Sequence, residues 1–181
     1  IVTAAMISSA GISRGSLKYL ADTGRLDQVS RGVYTLPEVW EDEFVSIQER
    51  YKRGVFALDT ALFLHDLTDR TPHKFHMAFP YGYNTSSPKA AGILCSCKKE
   101  PYYSLGIALV DTPAGNTVRA YNAEKTLCEI LKPISHTDIQ IITDAFKRYA
   151  GRKDKNIPLL SEYAHQLRVE KRLRPYLEVL L

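Results

Sequence analysis

The chain has 181 residues, 45% hydrophobic and 24% charged, an ordinary balance for a globular protein long enough to bury a core. Its formal net charge of +4 permits nucleic-acid binding without requiring it. No apolar run is long enough to span a bilayer, and Cys95, Cys97 and Cys128 show no disulfide framework, so a cytoplasmic protein without membrane contact is expected.

Thr3 is placed to N-cap a short helix over AAMISSA, and Gly11 supplies a tight turn. Ser13 caps a second helix that runs through Leu17 and Leu20, and Gly24 ends it. With Gly11 as the turn, Met6, Ala10, Ile12, Leu17 and Leu20 fall where the two helices meet, while Ile7 is bulky for so close a crossing. Leu26, Val29, Val33 and Tyr34 are strand formers around an Arg31-Gly32 turn. Helix, glycine turn, helix and basic hairpin together describe a winged helix-turn-helix, whose second helix enters the major groove of DNA. Ser13, Arg14, Ser16 and Lys18 on the second helix, and Arg25, Ser30 and Arg31 on the hairpin, are residue types that bond phosphates and base edges. Such a layer also serves some proteins as a packing or protein-binding module. The start at Ile1 rather than Met leads to the expectation that residues precede it, up to a whole first helix of the module.

Thr35 to Glu38 reads as a joint, which divides the chain into a winged domain over 1–37 and an α+β domain over 38–181. Trp40 to Arg53 is expected as a helix with Phe44, Ile47 and Tyr51 on one face, a Glu49–Arg53 pair, and Gly54 as its stop. Val55 to Leu58 is a short apolar run, and Asp59 is placed to cap TALFLHDL. Lys74 to Phe79 alternates as a half-buried strand. Tyr81 to Pro88 reads as a loop and Ile93 to Lys98 as a strand. Tyr102 to Val110 and Thr117 to Tyr121 form a hairpin around DTPAGN. Asn122 caps AEKTLCEIL, which Pro133 ends. Asp138 to Ala150 is the strongest helix, with Ile139, Ile142, Phe146 and Tyr149 as its stripe and Gly151 as its end. The segment from Pro158 is helical with a break or kink at Pro175.

The residue patterns of the common catalytic and metal sites are missing from the sequence. Cys95 and Cys97 lack a second pair at zinc-finger spacing, and His73 and His76 have opposite strand parity, so no metal site is expected. No Asp or Glu has a Lys two residues downstream, as many nucleases require. Gly15-Ser16 is not followed by the Asp-x-Asp of a nucleotidyltransferase. Phosphate-cradling glycine loops are also missing, so neither enzymatic activity nor a cofactor is expected. Two features stay open. Lys147, Arg148, Arg152, Lys153 and Lys155 form either a solvated helix end or a second contact with nucleic acid. Tyr81-Gly82-Tyr83-Asn84 is either a recognition surface or core packing.

The stretches AGISRGSLKYLADTGRLDQVSRGVYTLPE, VFALDTALFLHDLTDRTP and AYNAEKTLCEIL together resemble AbiEi-type antitoxins of bacterial type IV toxin–antitoxin, or abortive infection, systems. The resemblance implies an N-terminal winged helix-turn-helix that represses its own operon by binding repeated half-sites in promoter DNA. It also implies a C-terminal domain that counteracts a cognate nucleotidyltransferase-like toxin. The family's DNA-contacting positions carry over to Arg14, Ser16, Lys18 and Arg31; no short motif carries over for antitoxicity. Two rival readings are a phage-defence regulator with a nuclease-like or ligand-sensing C-terminal domain, and an adaptor whose winged module never meets DNA.

Overall fold

The structure, a computed structural model, describes residues 2–11, 13–35 and 42–180, leaving aside the side chains of residues 4, 14, 30, 179 and 180. Helices and strands mix in an α+β fold with two sheets. The first sheet is antiparallel, in the order β1 (Val2–Thr3), β3 (Val33–Thr35), β2 (Asp27–Ser30), and α1 (Ala4–Ser9) and α2 (Arg14–Asp22) pack on it. The hairpin register slips between Gln28 and Ser30, a bulge that bends the strand. Sequence reading found the hairpin but not β1, because a two-residue strand has no periodicity of its own.

The small core here is Leu17, Leu26 and Tyr34, with Val2, Ile7, Leu20 and Ala21 against it. This corrects the expected helix contact. Met6 is 58% exposed and Ala10 faces solvent, while Ile7 takes the inward position. A six-residue helix has room for one inward stripe, and the neighbouring residue is turned about 100° away from it. Ile12 and the Leu36–Glu38 part of the joint lie outside the described residues, as does Trp40.

The second sheet runs β6 (Leu94–Lys98), β5 (His76–Pro80), β4 (Val55–Phe56), β8 (Thr117–Tyr121), β7 (Ile107–Asp111). The β5–β6 and β4–β8 pairs are parallel and the others antiparallel. Period-two alternation divides its side chains. Phe56, Met77, Phe79, Val118 and Ala120 face α3 (Glu43–Arg50) through Phe44, Val45 and Ile47. Val55, Ala78 and Tyr121 form a separate cluster with Tyr103. A helical layer completes the core: α4 (Leu58–Leu64), α6 (Ala123–Ile130), α7 (Ile139–Ala150), α8 (Ile157–Leu167) and α9 (Glu170–Leu180). At its centre is α6, in which every residue is buried.

Several local expectations change. Helix α3 ends at Arg50, before Gly54, so Glu49 and Arg53 no longer sit one turn apart. Glu49 instead meets Lys52 at 3.7 Å, and the Arg53 guanidinium lies over the Tyr83 ring. Asp59 falls inside the first turn of α4, which has no side-chain cap. The stretch read as a loop to Pro88 contains α5 (Ser86–Ala90), where Pro88 costs nothing because first-turn N–H groups have no intrahelical partner. In α7, Ile139 is 63% exposed, and Ala145 completes the buried stripe with Ile142, Phe146 and Tyr149. The C-terminal break falls at Arg168, in the left-handed region at φ 58°, and α9 continues through Pro175.

Two buried charges interrupt this core. The Lys125 side chain is fully buried and that of Glu129 2% exposed, one turn apart on α6. Lys125 Nζ donates to the Tyr102 and Leu105 carbonyls at 2.7 and 3.3 Å, and lies 3.5 Å from Glu129 Oε1. Lys98 from β6 donates to the same oxygen at 2.6 Å. Glu129 Oε2 is buried with no hydrogen-bond partner. Burial pulls the Lys125 pKa down to about 8, against the opposing pull of Glu129.

Candidate nucleic-acid interface

Local rules position α2. Thr3 Oγ1 accepts from Met6 N at 3.2 Å, so the residue that pairs in β1 also caps α1. Gly11 turns the chain at φ 73°, a conformation that costs other residues energy. Ser13 Oγ accepts from Gly15 N at 3.3 Å and opens α2. At its far end Thr23 Oγ1 donates to the Tyr19 carbonyl at 2.9 Å, and Gly24 turns the chain into the hairpin.

Leu17, 1% exposed, anchors the inner face of α2, and Leu20 and Ala21 are half-buried beside it. The opposite face offers Lys18, Tyr19 and Asp22 to solvent. Arg25 is exposed after the helix, and Arg31 is exposed at the hairpin turn. The residues named from sequence therefore divide. Lys18, Arg25 and Arg31 are free to meet a ligand. Ser13 spends one acceptor on its cap, and Ser16 is half-buried. Arg14 occupies the first residue of α2, but its side chain and that of Ser30 lie outside the described residues.

Tyr19 was missed by sequence reading. It is 66% exposed on the outward face of α2, an amphipathic ring beside Lys18. The signal was available, because a helical wheel centred on Leu17 puts Tyr19 about 200° away.

The second basic segment is largely engaged within the chain. Arg148 pairs with Asp69 at 3.4 Å. Arg152 donates to both Asp154 oxygens, at 2.9 and 2.6 Å, and to the His65 carbonyl at 2.7 Å. Lys155 Nζ donates to the Ala150 carbonyl at 2.8 Å, near the C-terminus of α7. Lys147 and Lys153 are exposed. The tyrosine loop divides: Tyr83 stacks on Phe79 at 4.5 Å, while Tyr81 is 70% exposed with Lys99 4.9 Å over its ring.

His65 sits where Arg152 joins α4 to the segment after α7. Its Nε2 lies 2.8 Å from the Tyr121 carbonyl, which can only accept, so this nitrogen carries the proton. Burial lowers the His65 pKa, and the Arg152 charge adds to that; burial likewise lowers His76. Both histidines accept protons more readily in the unfolded chain, so stability is full above the free value of 6.5 and falls as pH drops through it. Thermal unfolding between about pH 7.5 and 5.5 should show a falling midpoint, and His65→Gln should flatten that slope. An unchanged slope would remove His65 from the account.

Among the described residues, no group of three His, Cys, Asp or Glu comes together to hold a metal ion. No helix among them is long and apolar enough to cross a membrane.

The arrangement of α1, the Gly11 turn, α2 and the β2–β3 hairpin is that of a winged helix-turn-helix. Residues 1–37 match the model of a family described as "Transcriptional regulator, AbiEi antitoxin". The fold is similar over 98% of this chain to the crystal structure of the RV2827C protein from Mycobacterium tuberculosis, covering 75% of that protein, with a TM-score of 0.52 and 15% identity. At that identity the likeness concerns the fold alone. No curated protein matches the sequence.

Proposed function

We propose that the chain is the antitoxin of a type IV toxin–antitoxin system and a repressor of its own operon. Binding of α2 to promoter half-sites would provide repression, and the region from α3 onward would counteract a nucleotidyltransferase-like toxin. The observation that carries the DNA-binding half is the solvent-facing side of α2, with Lys18 and Tyr19 exposed next to the Arg31 hairpin, within a segment that matches the AbiEi regulator model. The antitoxin half rests on that family match. In this reading the protein is not an enzyme; it acts in the cytoplasm, as part of phage defence.

The test is a pair of cell assays. A reporter driven by the protein's own promoter should be repressed by the chain, and co-expression should rescue growth from the toxin encoded beside it. Repression without rescue would leave a regulator and remove the antitoxin.

A further inference from the structure

A cavity of about 470 Å³ opens beside α4. That volume falls within the range of small-molecule sites, roughly 300–1,000 Å³. One wall is the loop after α4, through Thr68, Arg70, Thr71, Pro72 and His73. The loop is tied to α7, where Asp69 pairs with Arg148 at 3.4 Å, and that pairing offsets its negative charge. Its donors stay free. Thr68 Oγ1 accepts from Arg70 N at 3.2 Å, so the hydroxyl still has its proton to donate. Arg70, Thr71 and His73 are exposed, and among the described residues the Arg70 guanidinium has no ion-pair partner. A guanidinium and hydroxyl donors lining one cavity suit the oxygens of a phosphate.

Asp59 of α4 is the one carboxylate that lines the cavity. Leu58, just before it, holds φ 49°, a conformation costly for a bulky side chain and one that gathers at ligand sites. The Asp59 carboxylate lies 3.8 Å from His76 Nδ1, beyond hydrogen-bonding distance, and that buried nitrogen has no partner. Burial lowers the His76 pKa, so the imidazole is neutral at about pH 7 and Asp59 keeps its charge. A carboxylate with spare acceptor capacity suits hydroxyl groups. Leu62, Pro72 and Ile141 supply the apolar part of the lining.

We infer that this cavity binds a ribonucleoside monophosphate. The phosphate meets Arg70 and the Thr68 hydroxyl, the ribose hydroxyls meet Asp59, and the base rests on Leu62, Pro72 and Ile141. The donors, the acceptor and the apolar surface of the lining answer to the three parts of that ligand. The site goes beyond the proposed repression and antitoxicity and depends on neither.

Isothermal titration calorimetry of the full chain tests it. The probes are AMP, GMP, CMP and UMP, their 2′-deoxy counterparts, and inorganic phosphate. At least one ribonucleotide should bind about tenfold or more tighter than its 2′-deoxy counterpart and than inorganic phosphate. Arg70→Ala should weaken that binding by about tenfold or more. Arg70 is exposed, so the unfolding midpoint of this variant should not change. Asp59→Asn should bring the affinities for the ribonucleotide and its 2′-deoxy counterpart together. Lys74→Ala removes an exposed cation next to the loop and should leave the affinity unchanged, which separates the site from general attraction of anions. Binding of none of the four ribonucleotides, equal binding of inorganic phosphate, or full affinity in Arg70→Ala would overturn the site. Equal affinity of the unsubstituted chain for ribonucleotides and their 2′-deoxy counterparts would overturn the assignment to a ribonucleotide.

Discussion

Arg14→Ala combined with Lys18→Ala is expected to abolish promoter binding in a gel shift while toxin neutralisation survives. The two residues occupy the first and second turns of α2, the part of a recognition helix that meets base edges. Each good base contact is worth about 1–3 kcal/mol, so the pair should lower affinity by roughly a hundredfold or more. Neither change should disturb the fold. Lys18 is exposed, and Leu17, which anchors α2 to the hairpin, is untouched. Ser13 still caps the helix. Survival of neutralisation is expected because that activity is assigned to the region from α3 onward. Equal loss of both activities would contradict the separation of roles. Tyr19→Ala extends the test, since a ring exposed beside Lys18 should lower binding with stability unchanged.

Glu129→Ala should be the most damaging single change to stability. It removes the carboxylate shared by Lys98 and the fully buried Lys125, leaving a cation among apolar residues and two carbonyls. Breaking a buried ion pair from one side costs about 3–5 kcal/mol. Urea unfolding should show the midpoint falling at constant slope against denaturant. The sign of the pH dependence follows from Lys125. Its pKa is already pulled to about 8 in the folded chain, against 10.5 when free, so the unfolded chain holds the proton over that interval and folding gains as pH rises. Without Glu129 the folded-state pKa falls further, so the defect should shrink as pH climbs toward the free-lysine value. Adding Lys125→Met should recover part of the loss at neutral pH. A cost under about 1 kcal/mol for Glu129→Ala would mean the lysines relax to solvent.

The α+β class and most of the chain order were legible in the residues, and the reasons are local. Thr3, Ser13 and Asn122 each accept the backbone N–H that their capping role calls for. The positive φ at Gly11, Gly24 and Gly32 puts glycine where the turns need it. What escaped depended on partners distant in sequence. Strand β1 exists through its pairing with β3. The outward turn of Met6 and the inward turn of Ile7 follow from the shape of the small core. The ion pair of Glu129 with Lys98 joins a helix to a strand 31 residues earlier, which no spacing along α6 discloses. Arg152 looked like one of five cations in a run, yet it binds a carbonyl 87 residues away.

The central claim is that α2 and its hairpin recognise specific DNA. Its most direct test is the affinity of the full chain for its own promoter duplex relative to a scrambled duplex of equal length and composition, at one physiological salt concentration. The account predicts a ratio of about a thousand or more. Equal affinity for the two duplexes, or binding to neither, would contradict it.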